Sequence, residues 1–185
     1  MERYVSRAGK KLDFALKTFG FNVSILVCAD FGSNVGGFVQ VLLQHGAKHV
    51  YSVDTSYGTL DWGLRNNAKV TVLERTNAMH VFLPEKCDLI TVDTGWTPQT
   101  KILPNVLRNL KEKGSVISLV KPHYEAKGYG ISLNKGLVNK NDIPVIISGV
   151  ESDIKNLGLK IVNKVQSPII GKHGGNTEYL YLLNF

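Results

Sequence analysis

Cysteine is scarce in this chain. Its 185 residues include only Cys28 and Cys87, and neither belongs to a Cys-x-x-Cys pair. That spacing argues against a zinc site or a disulfide framework, so no metal is expected. Both thiols lie in apolar runs, as buried cysteines of a reducing compartment do. No apolar run approaches the ~20 residues needed to cross a bilayer. Met1-Glu2-Arg3-Tyr4 leads into a basic amphipathic stretch and not into a signal-peptide core. The cytoplasm is the expected location, and no membrane partner is expected. Internal repeats, low-complexity tracts and charge blocks are also missing, and so is a Gly-x-Gly-x-x-Gly fingerprint.

What is present is an ordinary globular composition with a basic excess. Hydrophobic residues make up 43% and charged residues 20%, which excludes disorder as the main state. The net charge is +7 and the pI about 9.4. An excess of that sign favours a polyanionic partner, because Lys and Arg beside phosphates release condensed counterions.

Short apolar runs alternate with helical patterns, the sequence form of a parallel α/β sheet. Leu12, Ala15, Leu16 and Phe19 fall at helical spacing, and Gly20 can close that helix. Residues 24–29 read as a fully buried first strand. A helix over 36–45 precedes a second strand at 49–54. A short helix over 60–65 precedes a third strand at 70–74. The fourth strand spans 87–93, a helix containing Pro104 spans 98–110, and the fifth strand spans 115–121. Residues 122–140 have little periodicity and several glycines, and read as a long surface loop. Asn141 or Asp142 can cap a further helix with Pro144 in its first turn. The last strands fall at 159–165 and 177–183. The stretch between them is too short for a crossover helix, so they should be antiparallel. The expected fold is one Rossmann-like α/β domain, with a mostly parallel seven-stranded sheet and an antiparallel last strand. Residues 1–22 read as an N-terminal helical extension and 23–185 as the core.

The strongest local feature is Asp30-Phe31-Gly32-Ser33-Asn34-Val35-Gly36-Gly37-Phe38, which follows the first strand and opens a helix. Gly32 permits a tight turn, and Gly36 and Gly37 let a ligand approach the backbone. Ser33, Asn34 and Phe38 complete this candidate cofactor loop, where a helix N-terminus offers free amides. Asn34 stands where a dinucleotide fingerprint needs glycine, which weakens an NAD reading. A carboxylate at Asp30 suits the cationic end of S-adenosylmethionine better than a pyrophosphate. Asp54 ends the second strand, where an acid can accept hydrogen bonds from ribose hydroxyls. Glu74 and Asn77 follow the third strand, toward the adenine region. Each acid alone is more often a solvated strand end. Their succession along one sheet edge, where open α/β sheets bind ligands, points to a nucleotide cofactor.

At this point a family comes into view. The run Tyr4-Val5-Ser6-Arg7-Ala8-Gly9-Lys10-Lys11-Leu12, the 30–38 loop, and Glu74-Arg75-Thr76-Asn77-Ala78 are joined by Asp93, by Val120-Lys121-Pro122-His123-Tyr124-Glu125, by Ser167-Pro168-Ile169 and by Asn176-Thr177-Glu178. In that order and spacing the chain resembles the TlyA (hemolysin-A-type) and FtsJ-like RNA 2′-O-methyltransferases. The resemblance implies S-adenosylmethionine as cofactor, RNA as substrate (ribosomal RNA or subunits), and a Lys-Asp-Lys-Glu catalytic tetrad. By motif position the tetrad is Lys11, Asp93, Lys121 and Glu178. Asp93 and Lys121 also end the fourth and fifth strands, at the edge that carries the cofactor loop. A ribose hydroxyl needs a base to become a nucleophile. Lys121 can be that base if cationic neighbours or desolvation lower its pKa, with Lys11 raising the positive field and Asp93 and Glu178 orienting the amines.

The chain departs from the family after two of these residues. Asp93 is followed by Thr94-Gly95-Trp96-Thr97-Pro98 where the family has Val-Ser-Phe-Ile-Ser, and Lys121-Pro122 by His123-Tyr124-Glu125 where it has Gln-Phe-Glu. Trp96, Tyr124 and His123 either stack on an extruded base or pack. Family members usually carry a small N-terminal RNA-binding domain, and this chain starts where that domain would end. Arg3, Arg7, Lys10, Lys11 and Lys17 on the first helix, and Lys127, Lys135 and Lys140 in the long loop, are candidate basic faces for RNA. The same charges would serve equally as solvated surface. Three other readings stay open: a different methyl acceptor, a non-catalytic RNA-binding or ribosome-assembly module, and a membrane-active toxin. The missing Pro-Pro after Asp93 counts against base methylation, and the lack of a long apolar segment counts against the toxin.

Overall fold

The computed structural model describes residues 4–171 and 175–185. Seven strands form one sheet in the order β3-β2-β1-β4-β5-β7-β6, with β1 at Val27–Phe31, β2 at His49–Val53, β3 at Val70–Leu73, β4 at Cys87–Val92, β5 at Leu110–Val120, β6 at Lys160–Gln166 and β7 at Tyr179–Asn184. Strands β1 to β5 pair in parallel, and β7 runs antiparallel to both β5 and β6. The mixed sheet expected from the sequence is the sheet observed.

Alternation along the strands builds two cores. Val27, Ala29 and Phe31 of β1 face one side, with Ile102, Leu103 and Val106 of α4 (Gln99–Asn109) and Ile146, Val150 and Ile154 of α6 (Ile143–Asn156). Cys28 faces the other side, with Leu12, Ala15 and Leu16 of α1 (Ala8–Phe19) and Phe38, Val41 and Leu42 of α2 (Gly37–Gln44). A central strand buried on both faces needs the unbroken apolar run it has. α1 ends at Gly20, which is left-handed (φ +61°), and Phe21 N–H donates to Leu16 O at 3.0 Å, closing the helix as its sequence predicts. The short α3 (Trp62–Arg65) starts at Asp61, whose carboxylate accepts from Gly63 and Leu64 N–H.

Three elements differ from the expectation. β1 begins at Val27, because Ser24 and Ile25 turn instead of extending. Ile25 has φ +63°, is 80% exposed, and bonds through its N–H to Gly46 O. The strand therefore continues through Asp30 and Phe31, and Asp30 lies inside it. The start of the expected 122–140 loop is also folded: α5 spans Pro122–Glu125 and a 3-10 turn spans Ala126–Tyr129. Glu125 and Ala126 are buried there, and Glu125 accepts from Gln99 N–H at 3.0 Å, capping α4 from outside. Burial pushes the Glu125 carboxyl up to about 7. Helix α6 has Pro144 in its first turn, but its N-cap Asp142 makes no side-chain cap. Among the described residues, no helix is long and apolar enough to cross a membrane.

Candidate active site

The parallel order reverses at β1/β4, the switch point where open α/β sheets bind ligands beyond the strand C-termini. The register Phe31↔Val92 sets Gly32 beside Asp93, and Asp93 N–H donates to Phe31 O at 3.0 Å. A Cβ on Gly32 (φ +91°) would sit 2.7 Å from the Asp93 carbonyl oxygen, so only glycine fits. Lys121 follows the end of β5. Antiparallel β7 begins at the same edge, with Tyr179 opposite Val120, which sets Glu178 beside Lys121. α1 crosses from the other end of the chain and delivers Lys11.

These four side chains form two ion pairs. Lys11 Nζ lies 2.5 Å from Glu178 Oε2, with both residues buried. Lys121 Nζ lies 2.6 Å from Asp93 Oδ1 and also donates to Thr94 O at 3.1 Å. Burial works against the Lys121 ammonium, but the Asp93 carboxylate and then Glu178 outweigh it, so its pKa lies above the ordinary lysine value. This reverses the expectation of a lowered pKa. The cationic neighbour Lys11 is already neutralised by Glu178, whereas Asp93 touches the Lys121 amine.

A cleft of about 1020 Å³ opens over the pairs, at the upper end of the roughly 300–1,000 Å³ usual for small-molecule sites. Lys11, Asp93, Lys121 and Glu178 all line it, as do Asp30, Gly32, Ser33, Asn34 and Phe38 from the candidate cofactor loop. Asp30 is 1% exposed and accepts from Thr91 Oγ at 2.7 Å. Burial pushes its carboxyl up to about 8, against the Thr91 bond and with help from Asp93 and Asp54. Ser33 Oγ accepts from Ser52 Oγ at 2.8 Å, which fixes the loop to β2.

Gly36, Gly37, Asp54 and Asn77 lie outside this lining. The two glycines are small for packing reasons. A Cβ on Gly36 would meet Leu64 at 2.4 Å, and one on Gly37 would meet Ser6 Oγ at 2.3 Å and Gly9 N at 2.9 Å. Asp54 sits farther along the edge, where it accepts from Asn34 N–H at 2.8 Å and from Ser56 N–H and Oγ. Asn77 is exposed, and its Oδ1 accepts from Met79 N–H at 2.9 Å. Glu74 pairs with Arg65 and accepts from Gly58 N–H.

One part of the cleft lining, Trp96, His123 and Tyr124, is aromatic. Trp96 is 83% exposed with φ +58°, so it is not a core residue, and its ring lies 4.8 Å from that of Tyr124. The His123 ring lies 4.1 Å from Tyr124. Burial, then Lys121 and Lys11, push His123 down to about 4, so the imidazole is neutral near pH 7. Its Nδ1 and the Thr94 Oγ are buried without a hydrogen-bond partner among the described residues. Of the candidate basic residues, Arg7, Lys11 and Lys135 line the cleft, Lys10, Lys17, Lys127 and Lys140 are exposed elsewhere, and Arg3 lies outside the described residues. Sequence reading missed Thr91, although a threonine inside an apolar strand run, opposite Asp30 in register, is the signal for it.

Comparison with known proteins gives a consistent picture. The FtsJ-like methyltransferase profile matches residues 4–185. The chain is 38% identical over 184 residues to Hemolysin A of Brachyspira hyodysenteriae, covering 96% of this chain and 75% of that protein. It is 36% identical over 185 residues to the 16S/23S rRNA (cytidine-2'-O)-methyltransferase TlyA of Mycobacterium tuberculosis, covering 97% of this chain and 68% of that one. A solved structure described as a hemolysin from Streptococcus thermophilus superposes with a TM-score of 0.93 at 34% identity, over 99% of this chain and 67% of the other. A profile match over nearly the whole chain, with relatives above 30% identity, places this chain in the FtsJ-like methyltransferase family.

Proposed function

We propose that this protein methylates the ribose 2′-oxygen of a nucleotide in ribosomal RNA, using S-adenosylmethionine. The observation that carries the reading is the Lys121–Asp93 pair, 2.6 Å apart, in a cleft that also holds the buried Asp30 carboxyl. The cleft residues fit the cofactor. Asp30 is a buried carboxyl that lines the cleft from within β1, suited to a cationic amine, and Gly32, which also lines it, lets the loop pack directly on the Asp93 backbone. Ser33, Asn34 and Phe38 line the cleft with it, and Asp54, which accepts from Asn34 N–H outside that lining, would hold the ribose hydroxyls, with Asn77 after β3 a further candidate for the adenine. When bound, S-adenosylmethionine supplies an electrophilic methyl group on a cationic sulfur.

The protein's own residues then have defined tasks. Lys121 takes the proton of the ribose hydroxyl, and Asp93 fixes the direction of its amine. Lys121 must be neutral at that moment, although Asp93 favours the ammonium. Positive charge entering beside Asp93 competes for that carboxylate and lowers the lysine's hold on its proton. Lys11 and Glu178 form a neutral buried brace next to the reacting oxygen. Trp96, exposed and tilted against Tyr124, offers a face to a base swung out of its helix.

The test is transfer of labelled methyl from S-adenosylmethionine to total RNA and to ribosomal subunits, followed by digestion to nucleosides. The expected product is a 2′-O-methyl nucleoside. Lys121→Ala should lower turnover by about 10²–10⁴-fold with cofactor affinity kept. Near-parent turnover in that variant would remove Lys121 from the reaction.

A further inference from the structure

The segment after the 3-10 turn closes into a two-residue hairpin at the mouth of the cleft. Asn134 N–H donates to Leu137 O and Leu137 N–H to Asn134 O, both at 2.9 Å. The two turn residues, Lys135 (φ +48°) and Gly136 (φ +83°), are both left-handed, as a type I′ turn requires. Asn or Gly is the usual first residue of such a turn, and a lysine there is strained. Strain of this kind persists where a side chain has a task.

The hairpin is fastened to the segment that leads into β7. Asn176, 5% exposed and two residues before Glu178, accepts from Val138 N–H at 3.0 Å through Oδ1 and donates through Nδ2 to Gly136 O at 2.8 Å. Its own carbonyl accepts from Gly171 N–H at 2.9 Å. One buried amide therefore holds both the tip and the return arm of the hairpin. Lys135 lines the cleft together with Arg7, Lys121 and Glu178. Among the described residues, no carboxylate pairs with Lys135 or Arg7, whereas Lys11 and Lys121 are both neutralised by acids. The cleft thus has a neutralised floor and an unneutralised cationic rim.

We infer that the 134–137 hairpin is a backbone clamp, in which Lys135 grips a phosphate of the substrate RNA beside the target ribose and Asn176 is the residue that positions it. This rests on the reading of the site as an RNA methyltransferase. A fixed ammonium at the rim meets a phosphate before any base reaches the floor, so it sets register without reading sequence.

The test uses Lys135→Asn, which keeps a residue tolerant of the left-handed turn and removes the charge, and Lys135→Arg, which keeps the charge. Binding of a fluorescein-labelled single-stranded RNA is followed by anisotropy against salt. Lys135→Asn should flatten the slope of log affinity on log salt by about 0.7, the share of one single-strand phosphate contact. It should raise KM for ribosomal RNA with kcat held, the mark of a contact made equally in ground and transition states. Lys135→Arg should restore both, and cofactor affinity by calorimetry should not move. Asn176→Ala should reproduce the Lys135→Asn defect, and the double variant should be no worse than the worse single, since both act through one contact. A parent that methylates RNA, with slope and KM unmoved by Lys135→Asn, overturns the clamp and leaves the enzymatic reading standing. A parent that binds S-adenosylmethionine but methylates neither ribosomal RNA nor subunits overturns that reading, and the clamp with it.

Discussion

On the proposed reading, cofactor binding displaces a proton from Asp30 and methyl transfer needs one removed from Lys121, and the two titrations can be followed separately. Asp30 is neutral in the free protein below about pH 8, because burial dominates its environment. A cationic amine bound against it needs the carboxylate, so binding must release a proton below that pH. Affinity for S-adenosylmethionine should therefore fall about tenfold for each pH unit below 8, and calorimetry in buffers of different ionisation enthalpy should detect the released proton. Asp30→Asn should bind more weakly and lose this pH dependence. The same shift bears on stability. The folded Asp30 pKa exceeds the unfolded value, so the cost is absent below about pH 4 and complete above about pH 8. Asp30→Asn should gain on the parent in thermal unfolding as pH rises through that window. Lys121 works in the opposite sense, because the active form of a general base is the deprotonated one. With its pKa above the ordinary lysine value in the free protein, kcat/KM for the cofactor should climb with pH throughout the alkaline range. The kcat profile, which reports the bound complex, should level off at lower pH. Coincident profiles would argue against cofactor-linked loss of the Lys121 proton.

The helices and strands bring these groups together, and one junction between elements is tight enough to test. Gly37 opens α2 directly under the start of α1, where a Cβ would meet Ser6 Oγ at 2.3 Å and the Gly9 nitrogen at 2.9 Å. Gly37→Ala must therefore push α1 outward, at a cost of about 1–3 kcal/mol in urea unfolding. Because α1 carries Lys11, methyl transfer should fall as well. How far these junctions can be read from sequence depends on what fixes them. The long periodic elements and the antiparallel end of the sheet were legible, since burial on one or both faces writes a period or an apolar run. β1 was displaced because Ile25 sits apolar but exposed in a turn, where hydropathy misleads. α5 was hidden because four residues hold no period, and its buried Glu125 caps a helix that begins at Gln99. Within the cleft, the presence of Asp30 could be read from its place after an apolar run, and the meeting of Lys11, Asp93, Lys121 and Glu178 from motif order. The bond from Thr91 to Asp30 needs strand register, and the hold of Asn176 on the hairpin needs the closed 134–137 turn, so neither contact is written locally.

At the scale of the whole molecule, the chain closes on itself through Lys11 and Glu178, which lie 167 positions apart and meet at 2.5 Å inside the protein. The pair joins the first helix to the residue that precedes the last strand, so it has a structural role whatever its part in chemistry, and the two roles can be separated. Removing one member leaves the other charge buried and unpaired, which costs about 3–5 kcal/mol, whereas replacing both with apolar groups of similar volume is often neutral or stabilising. Lys11→Met should therefore unfold at markedly lower urea concentration. Lys11→Met with Glu178→Leu should recover most of that loss, because no charge is then stranded. A purely structural brace would recover its activity together with its stability. A brace that also shapes the field around Lys121 would not, because Glu178 contributes to holding the Lys121 ammonium and Lys11 acts on neighbouring His123. The double variant should thus be folded, bind S-adenosylmethionine and transfer methyl at least about 10²-fold more slowly than the parent. Near-parent transfer by that folded double variant would confine the pair to architecture and leave Lys121 and Asp93 to carry the reaction alone.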